Sequence, residues 1–154
     1  MQTYVILHNI RSAHNVGSVF RTSDGAGVAK IFLTGYTPAP TDRFGRNNPE
    51  IEKTSLGAVH TVPYEVVPDI ETLIVRLKDE GVAIVAVEQT QRAIEYTSYK
   101  VERDTAYIFG NEITGVETEV LEQADTHIMI PMSGSKESLN VSVCAGVILF
   151  HARS

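Results

Sequence analysis

The chain has 154 residues, 43% of them hydrophobic and 21% charged, with a net charge of −6 at neutral pH. That length supports a buried core in a single domain, expected over residues 1–154, and the composition is that of an ordinary globular protein. No apolar run approaches the roughly 18 residues of a membrane span, the lone Cys144 excludes an internal disulfide framework, and the acidic total argues against a strong nonspecific nucleic-acid binder.

The first residues, "MQTYVILHNIRS", lack the basic region and cleavage site of a signal peptide, so a cytoplasmic protein is expected. Within them Tyr4–His8 is a short β-rich apolar run. In "NVGSVFRTSDGAG", Asn15 suits a helix N-cap, and Val16, Val19, Phe20 and Ser23 share one helical face. Gly25 and Gly27 then supply a stop. Lys30–Thr34 is the next strand. Gly35 to Pro49 holds three prolines, Gly45, Arg43 and Arg46, and reads as a long loop of the kind that is often functional.

"AVHTVPYE" predicts a short strand ending near Pro63. Ile70, Leu73, Ile74 and Leu77 follow the i, i+3, i+4, i+7 rule, with Pro68 at the start of the helix and Gly81 at its stop. Val82–Glu88 and Thr105–Gly110 are continuous apolar runs of the sort that buried parallel strands need. A helical "ETEVLEQA" and a last strand, "HIMIPM", precede a polar loop and the apolar helix "VSVCAGVILF". Strands alternate with helices, so the expected class is α/β, a mainly parallel sheet flanked by helices.

Parallel sheets of this kind bind ligands outside the carboxyl ends of their strands. The segments "NIRSAHNVGSVFR", "GNEITG" and "SGSKESLN" occupy that position and are dense in Gly, Ser, Asn and charged residues. No G-x-G-x-x-G follows a strand, no G-x-x-x-x-G-K and no G-x-S-x-G occurs, and five scattered histidines with one cysteine make no metal site. Charge is uneven: residues 1–60 sum to +2 and residues 61–154 to −8. The positive half holds Arg11, Arg43, Arg46 and Lys53, candidates for contact with RNA phosphates.

Taken in order, "NVGSVFRTSDGAGV", "KTSLGA", "IFGNEITGV" and "IMIPMSGSKESLNVSVCAGVILF" resemble motifs of the SPOUT superfamily of methyltransferases, in its SpoU (TrmH) branch. The resemblance spans nearly the whole chain. It implies a fold whose C-terminal part forms a deep trefoil knot, a feature that connection rules make very rare. It further implies a homodimer packed through the first and last helices; no metal is expected, on the histidine and cysteine pattern above. The implied reaction is transfer of a methyl group from S-adenosylmethionine to the 2′-hydroxyl of an RNA ribose, leaving S-adenosylhomocysteine.

By resemblance, Arg21, Asn15, Glu112, Ser138 and Asn140 are the catalytic positions. Arg21 is expected to stabilise the charge that develops on the ribose oxygen; an arginine pKa of roughly 12.5–13.8 argues against literal base catalysis. Asn15 is expected to cap the first helix and to hold RNA or Arg21, and Glu112 to orient Arg21 through a charge-assisted hydrogen bond. Ser138 and Asn140 offer a hydroxyl and an amide to ribose or cofactor, and can cap the last helix. The cofactor pocket is expected from Val87, Glu88, Gly110, Asn111, Ile130, Met132, Ser138 and Leu139. Cys144 reads as a small buried hydrophobe. RNA recognition is expected from loops of the dimer or from an extension supplied by a partner, with tRNA favoured over rRNA; the alternative is a noncatalytic knotted RNA-binding or assembly protein.

Overall fold

The structure is a computed structural model and describes residues 1–153. Thr3–His8 forms the first strand, β1, followed by α1 (Ala13–Ala26) and β2 (Lys30–Thr34). Next come α2 (Pro49–Ser55), β3 (Tyr64–Val66), α3 (Ile70–Asp79) and β4 (Ala83–Val87). The two-residue β5 (Ile94–Glu95) and then β6 (Thr105–Phe109) lead to α4 (Thr118–Gln123), β7 (Thr126–Met129) and α5 (Val141–Ala152).

The seven strands form one sheet in the order β3-β2-β1-β6-β4-β7-β5, and each neighbouring pair is parallel. In β1, Val5 lies between Ile31 of β2 and Tyr107 of β6. Strand residues alternate between two cores. Val5, Leu7, Ile31, Leu33, Val85 and Phe109 pack with α1, Ile51 of α2 and α5. Ile6, Phe32, Ile84, Ala86 and Ile108 pack on the other face with α3 and α4. Covering both faces is what makes β4 and β6 read as unbroken apolar runs.

On the first layer, α1 and α2 meet at Gly17. A Cβ there would sit 1.8 Å from Thr54 Oγ1 and 2.8 Å from the Ile51 carbonyl, so only glycine permits that approach. The helix α5 is apolar nearly all round: Ala145, Ile148 and Leu149 are buried, whereas Val143 is 52% exposed. At the far end of β1, buried His8 bonds Thr34 Oγ1 at 2.8 Å and the Glu117 carboxylate, tying the sheet to the start of α4. Among the described residues no helix is long and apolar enough to cross a membrane.

Local departures from the sequence reading have simple causes. The N-cap of α1 is Ser12, not Asn15; the Ser12 hydroxyl accepts the Asn15 N–H at 3.1 Å. The segment read as a strand ending at Pro63 is a 3-10 turn, Ala58–His60, and β3 starts only after the proline, which has no N–H to give the sheet. Pro49 opens α2 instead of closing the loop, sitting in the first turn behind the Asn48 cap, where a missing N–H costs nothing.

Candidate functional site

A cavity of about 460 Å³ opens where β4, β6 and β7 end, at the carboxyl edge of the sheet. Its walls combine apolar Val87, Phe109, Met129, Ile130, Leu139 and Cys144 with polar Asn111, Ser138 and Asn140. All eight residues expected of a cofactor pocket, Val87, Glu88, Gly110, Asn111, Ile130, Met132, Ser138 and Leu139, line it. The size suits a nucleoside-sized ligand. Its lining includes the carboxylates of Glu88 and Glu112 and no Lys, Arg or His, a field that favours a cationic ligand.

The walls are held by side chains that are themselves saturated. Asn111 Oδ1 accepts the N–H groups of Ile113 (2.8 Å) and Thr114 (2.9 Å), while Nδ2 donates to the Asn9 carbonyl (3.0 Å) and the Tyr36 hydroxyl (2.8 Å). Glu88 accepts the N–H of Val116 at 3.0 Å and of Gln89 at 3.1 Å, which draws the β6–α4 loop onto the end of β4. A Cβ on Gly115 would lie 2.1 Å from Glu88 Oε2, and its φ of +70° also requires glycine. Gln89 Nε2 donates to the Glu137 carbonyl at 2.8 Å and so pins the loop before α5. Burial first, then Glu88, pushes the Cys144 thiol up to about 11, so it is an inert wall residue.

At the mouth, Glu112 joins the second loop to the start of α1. Its carboxylate accepts the N–H of Arg11 (2.9 Å), the N–H of Ser12 (2.9 Å) and Asn15 Nδ2 (3.1 Å). Burial works against its charge, but these hydrogen bonds outweigh it and hold the carboxyl below its ordinary value. An anion in this position also suits the positive end of the helix. Asn140 caps α5, its Oδ1 accepting the Ser142 N–H (2.9 Å) and hydroxyl (2.6 Å), and its Nδ2 reaches Asn15 Oδ1 at 3.5 Å. Asn15 thus links Glu112 to Asn140, and three distant segments of sequence converge on one amide.

Arg21 stands apart from this group. The expected Glu112–Arg21 hydrogen bond is not formed, because the Glu112 oxygens are occupied by the entrance of α1. Six residues beyond Asn15, or about 9 Å along the axis, Arg21 is exposed, outside the cavity lining, and unpaired among the described residues. It lies on the outward side of α1 with His14 and Gly25, and a Cβ on Gly25 would meet Phe150 of α5 at 3.2 Å. Ser138 lines the cavity and Arg21 does not, and no hydrogen bond joins the two among the described residues.

The basic candidates are all exposed. Arg11 gives its backbone N–H to Glu112, and Lys53 lies in the last turn of α2. Arg43 and Arg46 flank Phe44 at the tip of the β2–α2 loop, 4.8 and 5.1 Å from its ring centroid. Sequence reasoning missed Asn9, Tyr36 and Gln89 as builders of the site. Asn9 carried the one readable signal, an Asn just after a strand, and it does adopt a left-handed backbone with φ +54°.

Comparison with known proteins identifies the family and the fold. Residues 2–150 match the SpoU rRNA Methylase family. The chain is 33% identical over 149 residues to the 23S rRNA (guanosine-2′-O-)-methyltransferase RlmB of Neisseria meningitidis, covering 97% of this chain and 57% of the relative. It is 36% identical over 149 residues to the tRNA (guanosine(18)-2′-O)-methyltransferase of Thermus thermophilus, covering 97% and 73%. Among solved structures, an AdoMet-bound rRNA methyltransferase from Sinorhizobium meliloti superposes with a TM-score of 0.87 at 28% identity, over 99% of this chain and 56% of that one. The A. aeolicus TrmH/SpoU tRNA modifying enzyme gives a TM-score of 0.86 at 30% identity, over 99% and 74%. The chain therefore spans little more than half of some relatives and about three quarters of others. A match from residue 2 to residue 150, with the same fold, shows that the chain belongs to the SpoU rRNA Methylase family.

Proposed function

We propose that this chain transfers a methyl group from S-adenosylmethionine to the 2′-hydroxyl of a ribose in RNA. The observation that carries the reading is the cavity at the strand ends, acid-lined and free of cations, with the Glu112–Asn15–Asn140 link at its mouth. Its apolar walls suit the faces of an adenine and its backbone edges the purine's donors and acceptors. The two carboxylates suit a sulfonium. When bound, S-adenosylmethionine supplies a methyl group on positively charged sulfur.

In the reaction a bond forms from the ribose oxygen to the methyl carbon as the carbon–sulfur bond breaks, and the hydroxyl proton leaves to water or an RNA phosphate. Asn15 and Asn140 hold the ribose, Ser138 offers its hydroxyl beside them, and Glu112 fixes the entrance of α1. Arg21 lowers the energy of the charge that grows on the oxygen. Its place outside its own cavity supports a dimer packed through the outward faces of α1 and α5, with Arg21 on the seam. The exposed Val143 on α5 is the apolar surface such a dimer covers.

A trefoil knot in the C-terminal part is a further element of this reading, supported by the family motifs and by the fold shared with the A. aeolicus TrmH/SpoU tRNA modifying enzyme. Between the RNA classes on which the relatives are named to act, transfer RNA is the favoured reading, supported by the higher identity and fuller coverage of the tRNA-named relative (36%, 73% of its length) than of the rRNA-named one (33%, 57%). Such a substrate implies a cytoplasmic setting. The test is methyl-labelled S-adenosylmethionine with RNA from cells lacking the gene, followed by nucleoside mapping. Label on a ribose is expected, and label on a base would overturn the assignment.

A further inference from the structure

We propose that the tip of the β2–α2 loop is a base-stacking platform, on which Phe44 takes an unpaired nucleobase between its two flanking arginines while Arg43 holds a neighbouring phosphate. The inference rests on the RNA reading above and adds to it how the RNA is gripped away from the reacting ribose.

Phe44 is 67% exposed, with the guanidinium carbons of Arg43 and Arg46 at 4.8 and 5.1 Å from the ring centroid. A residue so open to water keeps bare ring area beside both cations. Isolated surface hydrophobes are common and need no explanation; this one is different because the loop is built to hold it out. Asp42 Oδ1 accepts the N–H of Phe44 and of Arg46, each at 2.9 Å, and Oδ2 accepts Arg46 Nε at 2.9 Å. The Arg46 N–H foremost, then its guanidinium and the Phe44 N–H, outweigh desolvation and keep the Asp42 carboxyl below its ordinary value. A backbone bridge between Thr41 and Asn47 and a hydrogen bond from Asn48 N–H to the Pro40 carbonyl, at 2.8 Å, close the loop below the tip. A loop backbone fixed in this way loses little freedom when the ring stacks.

The position fits the chemistry. The loop leaves the carboxyl end of β2, the same edge of the sheet as the cavity. Near its start, the Tyr36 hydroxyl accepts from Asn111 of the cavity wall. Beyond its end, α2 packs on α1, the helix of Arg21. A strand of RNA whose ribose sits at the cavity mouth passes this edge. Nucleic acid is favoured over a protein partner by the surroundings of the ring. Within the loop they are the guanidiniums of Arg43 and Arg46, the Asp42 carboxylate that pairs with Arg46, and Gly45, none of them an apolar residue that could extend the dry centre of a protein interface. Arg43 has no carboxylate partner among the described residues and is available for a phosphate.

Base-on-aromatic stacking tolerates any sequence and is lost on truncation to alanine, by about tenfold in affinity per base. The chain contains no tryptophan, so Phe44→Trp creates a sole reporter at the tip. The probes are a ten-nucleotide adenosine RNA and an abasic oligomer of the same length, which carries equal phosphate charge. The full chain is expected to bind the adenosine oligomer about tenfold tighter than the abasic one, and Phe44→Ala to erase that preference with an unchanged melting temperature. Phe44→Trp is expected to keep the preference, with emission quenched by the adenosine oligomer only. In methyl transfer, Phe44→Ala raises KM for RNA and leaves kcat nearly intact.

Equal binding of the adenosine oligomer by wild type and Phe44→Ala, or an unquenched tryptophan, overturns the platform. Transfer to RNA would then persist and leave the broader reading standing, as it would if Phe44 docked a protein instead. Failure to bind either oligomer together with failure to methylate RNA overturns both.

Discussion

The replacement Glu112→Gln isolates a charge while preserving shape. The carboxylate accepts from Arg11, Ser12 and Asn15 at 2.9, 2.9 and 3.1 Å. A glutamine has one acceptor oxygen. Placed toward Ser12 and Asn15, it turns its NH₂ against the Arg11 N–H, so one charge-assisted bond, about 1.5–3 kcal/mol, is lost and the other two weaken. Partial exposure lets water recover some of this, leaving a cost of about 2 kcal/mol. For a chain of this size that lowers the melting temperature by about 4–8 °C. The assay is thermal unfolding of both proteins followed by circular dichroism across pH. Because the folded-state pKa lies below the ordinary 4.5, the carboxylate's contribution is complete above that value and is lost as pH falls through the folded pKa. The gap between wild type and variant should therefore be constant near neutrality and shrink below about 4.5. A gap that keeps its size in acid, or no gap at all, refutes the claim that the ionised Glu112 clamps the start of α1.

Other substitutions test separate parts. Arg21→Ala should abolish methyl transfer, leave S-adenosylhomocysteine binding by calorimetry nearly unchanged, and alter stability by less than about 0.5 kcal/mol, since the side chain is exposed and unpaired; equal loss of binding would make it a structural residue. Ser23 Oγ is fully buried with no partner among the described residues, so Ser23→Ala should stabilise by about 1 kcal/mol in urea unfolding. Val143→Arg places a charge on the outward face of α5 and should convert a dimer to a monomer in light scattering, with loss of transfer but an intact fold; an unchanged mass would exclude that face as the interface.

Much of this architecture is legible in one sequence because burial writes itself as pattern. The strands β4 and β6 are covered on both faces and appear as unbroken apolar runs, and α3 shows its single buried stripe. Short polar elements carry no such mark. In α2 only Ile51 and Ser55 are buried, so seven residues behind a proline look like loop. For the site, the residue types at the cavity were readable, and the cavity lining contains every expected cofactor contact. The pairings were not. Asn15 has a plausible local role as a cap, yet Ser12 fills it and Asn15 turns to Glu112, 97 positions away. No spacing rule reports which carboxylate will meet which amide across such a separation, and the resemblance that pairs Glu112 with Arg21 does not supply it either.

That separation also has a cost in time. The hydrogen bond from Asn140 to Asn15 spans 125 positions. At a ribosomal rate of ~5–20 residues per second, roughly 6–25 s pass between the making of its two ends. Strand β1 waits too: β2 starts at residue 30, whereas its other neighbour, β6, begins only at residue 105. Through that interval the nascent chain carries an apolar strand with one bare edge, the form most exposed to mispairing and to capture by chaperones. The first segment of the candidate site to leave the ribosome is thus among the last to be completed.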